Sequence, residues 1–162
     1  MLVLGIDPGI GRCGWGVVNA TGSKFELVDC GCIETEVNGQ IEKRLLVIYS
    51  EVEKIIKKHK PEVLSIEDLF FGANSKTAFA VGQARGVVLL QGAKHKLPIF
   101  VYNPMEGKLA LTGYGKAEKN QVAQMVKAVL KLEKPPKLDD TTDALAIALT
   151  HAFSSKFSKL TK

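Results

Sequence analysis

The sequence predicts a single-domain α/β fold, a mixed five-stranded sheet with helices on both faces. Three observations carry that expectation. The chain opens with three strand-like runs joined by short Gly-marked turns; a strongly amphipathic helical stretch follows; and from there strand-like and helix-like segments alternate. A chain of 162 residues is long enough to bury a substantial core without disulfides or structural metals.

Leu2 to Asp7 is a short apolar run bounded by Pro8 and Gly9, which reads as a buried strand. Cys13 to Asn19 follows a Gly-rich turn, and Phe25 to Glu36 is entered through Thr21-Gly22-Ser23, so the first three strands should form an antiparallel meander. Ile41, Leu45, Ile48, Val52, Ile55 and Ile56 then fall on one helical stripe, with Glu42, Lys43, Glu51, Lys54 and Lys58 outside it and Pro61 beyond its end. Glu62 to Glu67 reads as a buried strand, about Ser75 to Lys94 as a helix, and Pro98 to Tyr102 as the last strand. A Lys- and Gly-rich connection leads to a helix with Val122, Met125, Val126, Val129 and Leu130 on one face. After Pro135-Pro136 a final helix starts near Asp139 or Asp140 and runs to about Phe153. This order of elements is that of a ribonuclease H-like fold. Residues 1–153 are expected to form the domain, and 154–162 a polar, frayed tail.

Hydrophobic residues make up 46% and charged residues 24%, as in ordinary globular domains. No apolar run approaches a membrane span, and the first strand is too short for a secretory signal, so the expected setting is cytoplasmic. Three cysteines do not suggest a disulfide framework; Cys30 and Cys32 alternate on one strand face and read as small core residues. The net charge of +5 favours a polyanionic partner, with lysines crowded from Lys94 to Lys137.

The chemistry is carried by acids in apolar segments. Asp7 lies in the most apolar stretch of the chain, and an isolated buried carboxylate costs on the order of several kcal/mol. Arg12, turn amides or a metal ion would offset that cost. Glu67 ends a buried strand, and Asp68 beside it must face the other way. Asp140 and Asp143 share a helix face by their spacing, but so do Asp139 and Asp143, and an Asp at a helix start is also an ordinary cap. Singly, each acid has a bland reading as a surface, first-turn or turn-bonded carboxylate. Jointly, acids in the first strand, the fourth strand and the last helix can converge at one sheet edge. Such a set cannot fully ionise without cations, and hard oxygen donors suit Mg²⁺.

The segments Gly5-Ile-Asp7-Pro-Gly9, Ile66-Glu67-Asp-Leu-Phe70, Gly82-Gln-Ala-Arg-Gly86, Ala117-Glu-Lys119-Asn-Gln-Val122 and Asp140-Thr-Thr-Asp143-Ala-Leu-Ala-Ile closely resemble the RuvC family of Holliday junction resolvases, in order from Met1 to about His151. The resemblance implies a hydrolase that nicks opposed strands of a four-way DNA junction symmetrically, in recombination and repair. It implies that Asp7, Glu67, Asp140 and Asp143 bind two Mg²⁺ or Mn²⁺ ions, leaving Asp139 a non-ligand. By the same resemblance Phe70 stacks on junction bases, Lys108 and Lys119 flank the active site, the protein is a homodimer, and it works with a branch-migration motor complex. The Gly82-x-x-x-Gly86 pair suggests close backbone approach, either to the chain's own sheet or to a second subunit.

Other classes fit less well. A non-catalytic junction-binding scaffold of the same fold would have no need of the acids. An actin-like ATPase requires two such domains, for which 162 residues leave no room. A two-carboxylate glycosidase suits neither four acids nor a basic surface poor in aromatics.

Overall fold

The computed structural model describes residues 1–68 and 75–160, with side chains apart from those of 75–77 and 156–160. Its elements are β1 (Leu2–Asp7), β2 (Arg12–Thr21), β3 (Lys24–Glu34), α1 (Ile41–His59), β4 (Val63–Glu67), α2 (Ser75–Lys94), β5 (Ile99–Tyr102), α3 (Pro104–Thr112), α4 (Lys119–Val129) and α5 (Asp139–Leu160). The strands form a single five-stranded sheet in the order β3-β2-β1-β4-β5. β1, β2 and β3 pair antiparallel through short turns, whereas β4 runs parallel to β1 and β5 parallel to β4. Each parallel connection carries a helix, as a crossover requires.

The two faces of the sheet separate by residue parity. Leu4 and Ile6 of β1 and Leu64 and Ile66 of β4 pack under α1 and α2, against Ile48, Val52, Ala84 and Val88. Val3 and Val63 point the other way, onto Leu145, Ala148 and Leu149 of α5. Successive strand residues alternate faces, so Gly5, Asp7, Ser65 and Glu67 all lie on the α5 side. Helices α3 and α4 pack against α5 and complete that layer.

The elements depart from the expected ones in one added helix and in several ends, among them β2, which runs from Arg12 to Thr21. The Lys- and Gly-rich connection contains a helix, α3, opened by a capping box in which the Asn103 side chain accepts from the Glu106 amide and Glu106 accepts from the Asn103 amide. Pro104 occupies the first helical turn, where its missing N–H costs nothing. Helix α5 continues past Phe153 to Leu160. β3 ends at Glu34 rather than Glu36. The three thiols are free, with Cys13 buried and Cys30 and Cys32 half-buried. Phe70 and Phe71, and the chain end at Thr161 and Lys162, lie outside the described residues.

Candidate metal and nucleic-acid site

The acids meet because of strand register and helix approach. In the parallel pair, Val3 stands beside Val63, Gly5 beside Ser65 and Ile6 beside Ile66, so Asp7 and Glu67 end neighbouring strands on the same face. Helix α5 then has to come close enough to bring its first turns over them. Two glycines permit this. A Cβ on Gly5 would collide with the carbonyl oxygen of Ala144, and one on Gly14 with the carbonyl oxygen of Asp140. The buried Ser65 hydroxyl donates to the Ile147 carbonyl at 2.9 Å, tying β4 to the same helix, and Thr141 Oγ1 donates to the Gly31 carbonyl at 3.1 Å.

The electrostatics record the convergence. Burial raises Asp7 from 3.8 to about 8, and the charges of Glu67, Asp143 and Asp140 push in the same direction. The interaction between the two side chains raises Asp7 and lowers Glu67, so it favours the proton on Asp7 and the charge on Glu67. Burial also raises Glu67, with Asp143 adding to the shift and the Asp7 hydrogen bond, Lys119 and Lys108 opposing it. Asp143 is raised by burial as well, against the pull of Lys119. Asp139 is exposed, and its charge acts on Asp143 and Lys119.

Cations stand on both flanks. Lys119, at the start of α4, donates to Asp143 Oδ2 at 3.4 Å, and that carboxylate raises its affinity for its proton. Lys108 and Lys119 line a cleft of about 260 Å³ with Glu67 and Asp143, floored by Ala146 and Ile147. On the other flank Arg12 Nη1 lies 3.9 Å from Asp140 Oδ2. Asp68 faces away, as strand alternation predicts, and Arg85 Nη2 reaches its Oδ1 at 3.5 Å. Among the described residues no group of three or more His, Cys, Asp or Glu side chains is arranged to hold a metal ion as it stands. The structure therefore brings Asp7, Glu67, Asp140, Asp143, Lys108 and Lys119 into one neighbourhood, and Phe70 lies outside the description.

Sequence reasoning missed the pairing of Arg12, which falls to Asp140 rather than to Asp7. It also missed the small residues Gly5, Gly14 and Ser65 as a signal. Small side chains at alternate strand positions mark a face that a helix approaches closely.

Residues 3–151 match the family model described as Crossover junction endodeoxyribonuclease RuvC. A relative of that description from Alkaliphilus oremlandii is 45% identical over 162 residues, covering 100% of this chain and 99% of its own. The Thermus thermophilus RuvC structure superposes with a TM-score of 0.91 at 37% identity, covering 98% of this chain and 97% of that one. T. thermophilus RuvC in complex with Holliday junction substrate superposes at 0.89 with 35% identity, over 97% and 96%.

Proposed function

Because the chain belongs to the RuvC family of crossover junction endodeoxyribonucleases, we propose that it is a Holliday junction resolvase that nicks opposed strands in DNA recombination and repair. It is a nuclease and a hydrolase. The observation that carries its site is the convergence of Asp7 and Glu67, at the ends of β1 and β4, with Asp140 and Asp143 of α5.

The donor set suits a hard divalent cation, Mg²⁺ or Mn²⁺. All four groups are carboxylates, and burial with mutual repulsion makes Asp7 hold a proton well above the usual range. Asp7, Glu67, Asp140 and Asp143 would hold the ions, two per site. When bound, such a pair supplies activation of a water and stabilisation of the departing oxygen in phosphodiester hydrolysis.

The chain's own residues do the rest. Lys119, kept protonated by Asp143, and Lys108 bind the scissile strand's phosphates and offset charge that builds on them. Phe70, three residues past Glu67 in sequence, stacks on a base opened at the junction, an interaction worth about 1–3 kcal/mol. Asp139 stays outside the ligand set. The net charge of +5 draws the protein to DNA.

The working unit is a homodimer built on α2. Phe79 and Leu90 are 71% and 58% exposed on this helix, and Gly86 lies between them with no described atom where its Cβ would be. The close approach to the chain's own sheet is made instead by Gly92, over Leu64 and Ile99. A two-fold axis along this face gives two sites and hence paired nicks. A branch-migration motor complex is its partner in the cytoplasm; no described helix is long and apolar enough to cross a membrane.

The test is incubation with a synthetic four-way junction and a linear duplex, with and without Mg²⁺. Metal-dependent symmetric cleavage of the junction alone is expected. Equal cutting of both substrates would reject the resolvase, and binding without any cutting would leave a scaffold.

A further inference from the structure

The strand order β2-β1-β4 sets Arg12, Asp7 and Glu67 in a row, and the site has a cation at each end of it. Lys119 stands 3.4 Å from Asp143 on one flank and Arg12 stands 3.9 Å from Asp140 on the other. The lysines of the cleft belong to the proposed machinery. Arg12 has no role in it.

We propose that Arg12 is a positioning residue with two successive partners: Asp140 while the site holds no divalent ion, and a backbone phosphate of the bound DNA once ions occupy Asp140. The inference rests on the metal-site reading given above. Its first half follows from charge. A guanidinium keeps its proton at any working pH, so a divalent ion on Asp140 both takes the carboxylate oxygens and repels Arg12. Its second half follows from position. The Arg12 side chain is 57% exposed, on the face of the sheet that carries the carboxylates. Arg12 also acts on the neighbouring Cys32 thiol, against the charges of Asp140 and Glu34. Arg44, also near this turn, is already committed to Thr35 Oγ1 at 2.8 Å and the Val37 carbonyl at 3.3 Å. A strand of DNA laid over the acids therefore meets Arg12 on the β2 flank, and a guanidinium matches two phosphate oxygens at once.

The two partners give opposite signs, which no merely structural role would do. The full chain is compared with Arg12→Gln and Arg12→Lys in two measurements. In the first, Mn²⁺ binding is titrated without DNA. Arg12→Gln should bind Mn²⁺ about two- to five-fold more tightly, the range expected when an exposed competing charge is removed, and Arg12→Lys should stay close to the parent. In the second, junction binding in Ca²⁺ is followed against salt. Arg12→Gln should bind the junction more weakly, with the slope of log affinity against log salt shallower by about one. Arg12→Lys should keep that slope while losing part of the affinity, because a lysine cannot make the paired contact. Mn²⁺ affinity unchanged in Arg12→Gln removes the first partner, and an unchanged salt slope removes the second; either result overturns the proposal. A parent protein that takes up no Mn²⁺ defeats the metal-site reading itself, and this inference with it.

Discussion

Asp7 and Glu67 end two neighbouring parallel strands on one face of the sheet, in register from Val3 and Val63 onward, and the charge of Glu67 adds to the burial that raises Asp7 to about 8. A carboxyl that favours its protonated form thus stands where the proposed function places cations, and the protein should respond to pH and to divalent ions through the same atoms.

The first consequence concerns stability without metal. Asp7 titrates at its ordinary 3.8 in the unfolded chain and at about 8 in the folded one. Between those values the folded chain holds a proton that the unfolded chain has released, so stability falls as pH rises through that window. Asp7→Asn, which cannot ionise, should be more stable than the parent in chelator at pH 8, by on the order of 1–3 kcal/mol, with the gain vanishing toward pH 4. Urea unfolding at the two pH values measures it. Added Mg²⁺ should stabilise the parent most at high pH and the variant little, and Asp7→Asn should bind junctions without cutting them. Equal pH dependence in both proteins would place the proton elsewhere.

In the proposed function Lys119 serves the reaction rather than the fold. Its side chain is 74% exposed, so its pair with Asp143 contributes less than about 1 kcal/mol to folding. Lys119→Met should melt like the parent yet lose about 100-fold in single-turnover cleavage rate at saturating Mg²⁺. A normal rate would remove Lys119 from the chemistry.

Gly14 governs how closely α5 approaches the sheet. In Gly14→Ala the new Cβ meets backbone of Asp140 and Thr141, which can relieve the overlap only by moving the first turn of the helix. A loss of about 1–3 kcal/mol in stability is expected, together with at least about a ten-fold loss of cleavage that excess Mg²⁺ does not restore. Retained stability and activity would show that this contact does not position the acids.

The α2 face gives a prediction about assembly. A charge at Phe79 or Leu90 is tolerated by the isolated fold, because both side chains already face outward. Phe79→Glu and Leu90→Glu should run as folded monomers in light scattering at concentrations where the parent is a dimer, and should lose paired nicking. Dimers that persist in both variants would move the two-fold axis to another surface.

The strands and helices were readable where local chemistry is loud. Pro8 and Gly9 close β1, Pro61 follows α1, and the apolar stripe of α1 matches its buried residues Ile48, Val52, Ile55 and Ile56. Helix α3 was hidden because Met105 and Leu109 face solvent and only Gly107 and Leu111 are buried, so no apolar stripe announces it. Its Asn103-x-x-Glu106 box was the legible signal. In β1 every residue from Leu2 to Ile6 is apolar or glycine, so alternation of polarity says nothing about which face Asp7 occupies.

By itself the sequence determined the order of the elements, the presence of acids in β1, β4 and the start of α5, and the close resemblance to one nuclease family, because turn residues, apolar periodicity and motif spacing are local properties of a chain. Only the tertiary structure decided that Asp7 faces α5, that it meets Glu67, Asp140 and Asp143, and that Arg12 lies against Asp140. Those facts depend on strand register and on the approach of a helix more than a hundred residues away in sequence, which glycine at positions 5 and 14 allows and nothing in the local pattern dictates.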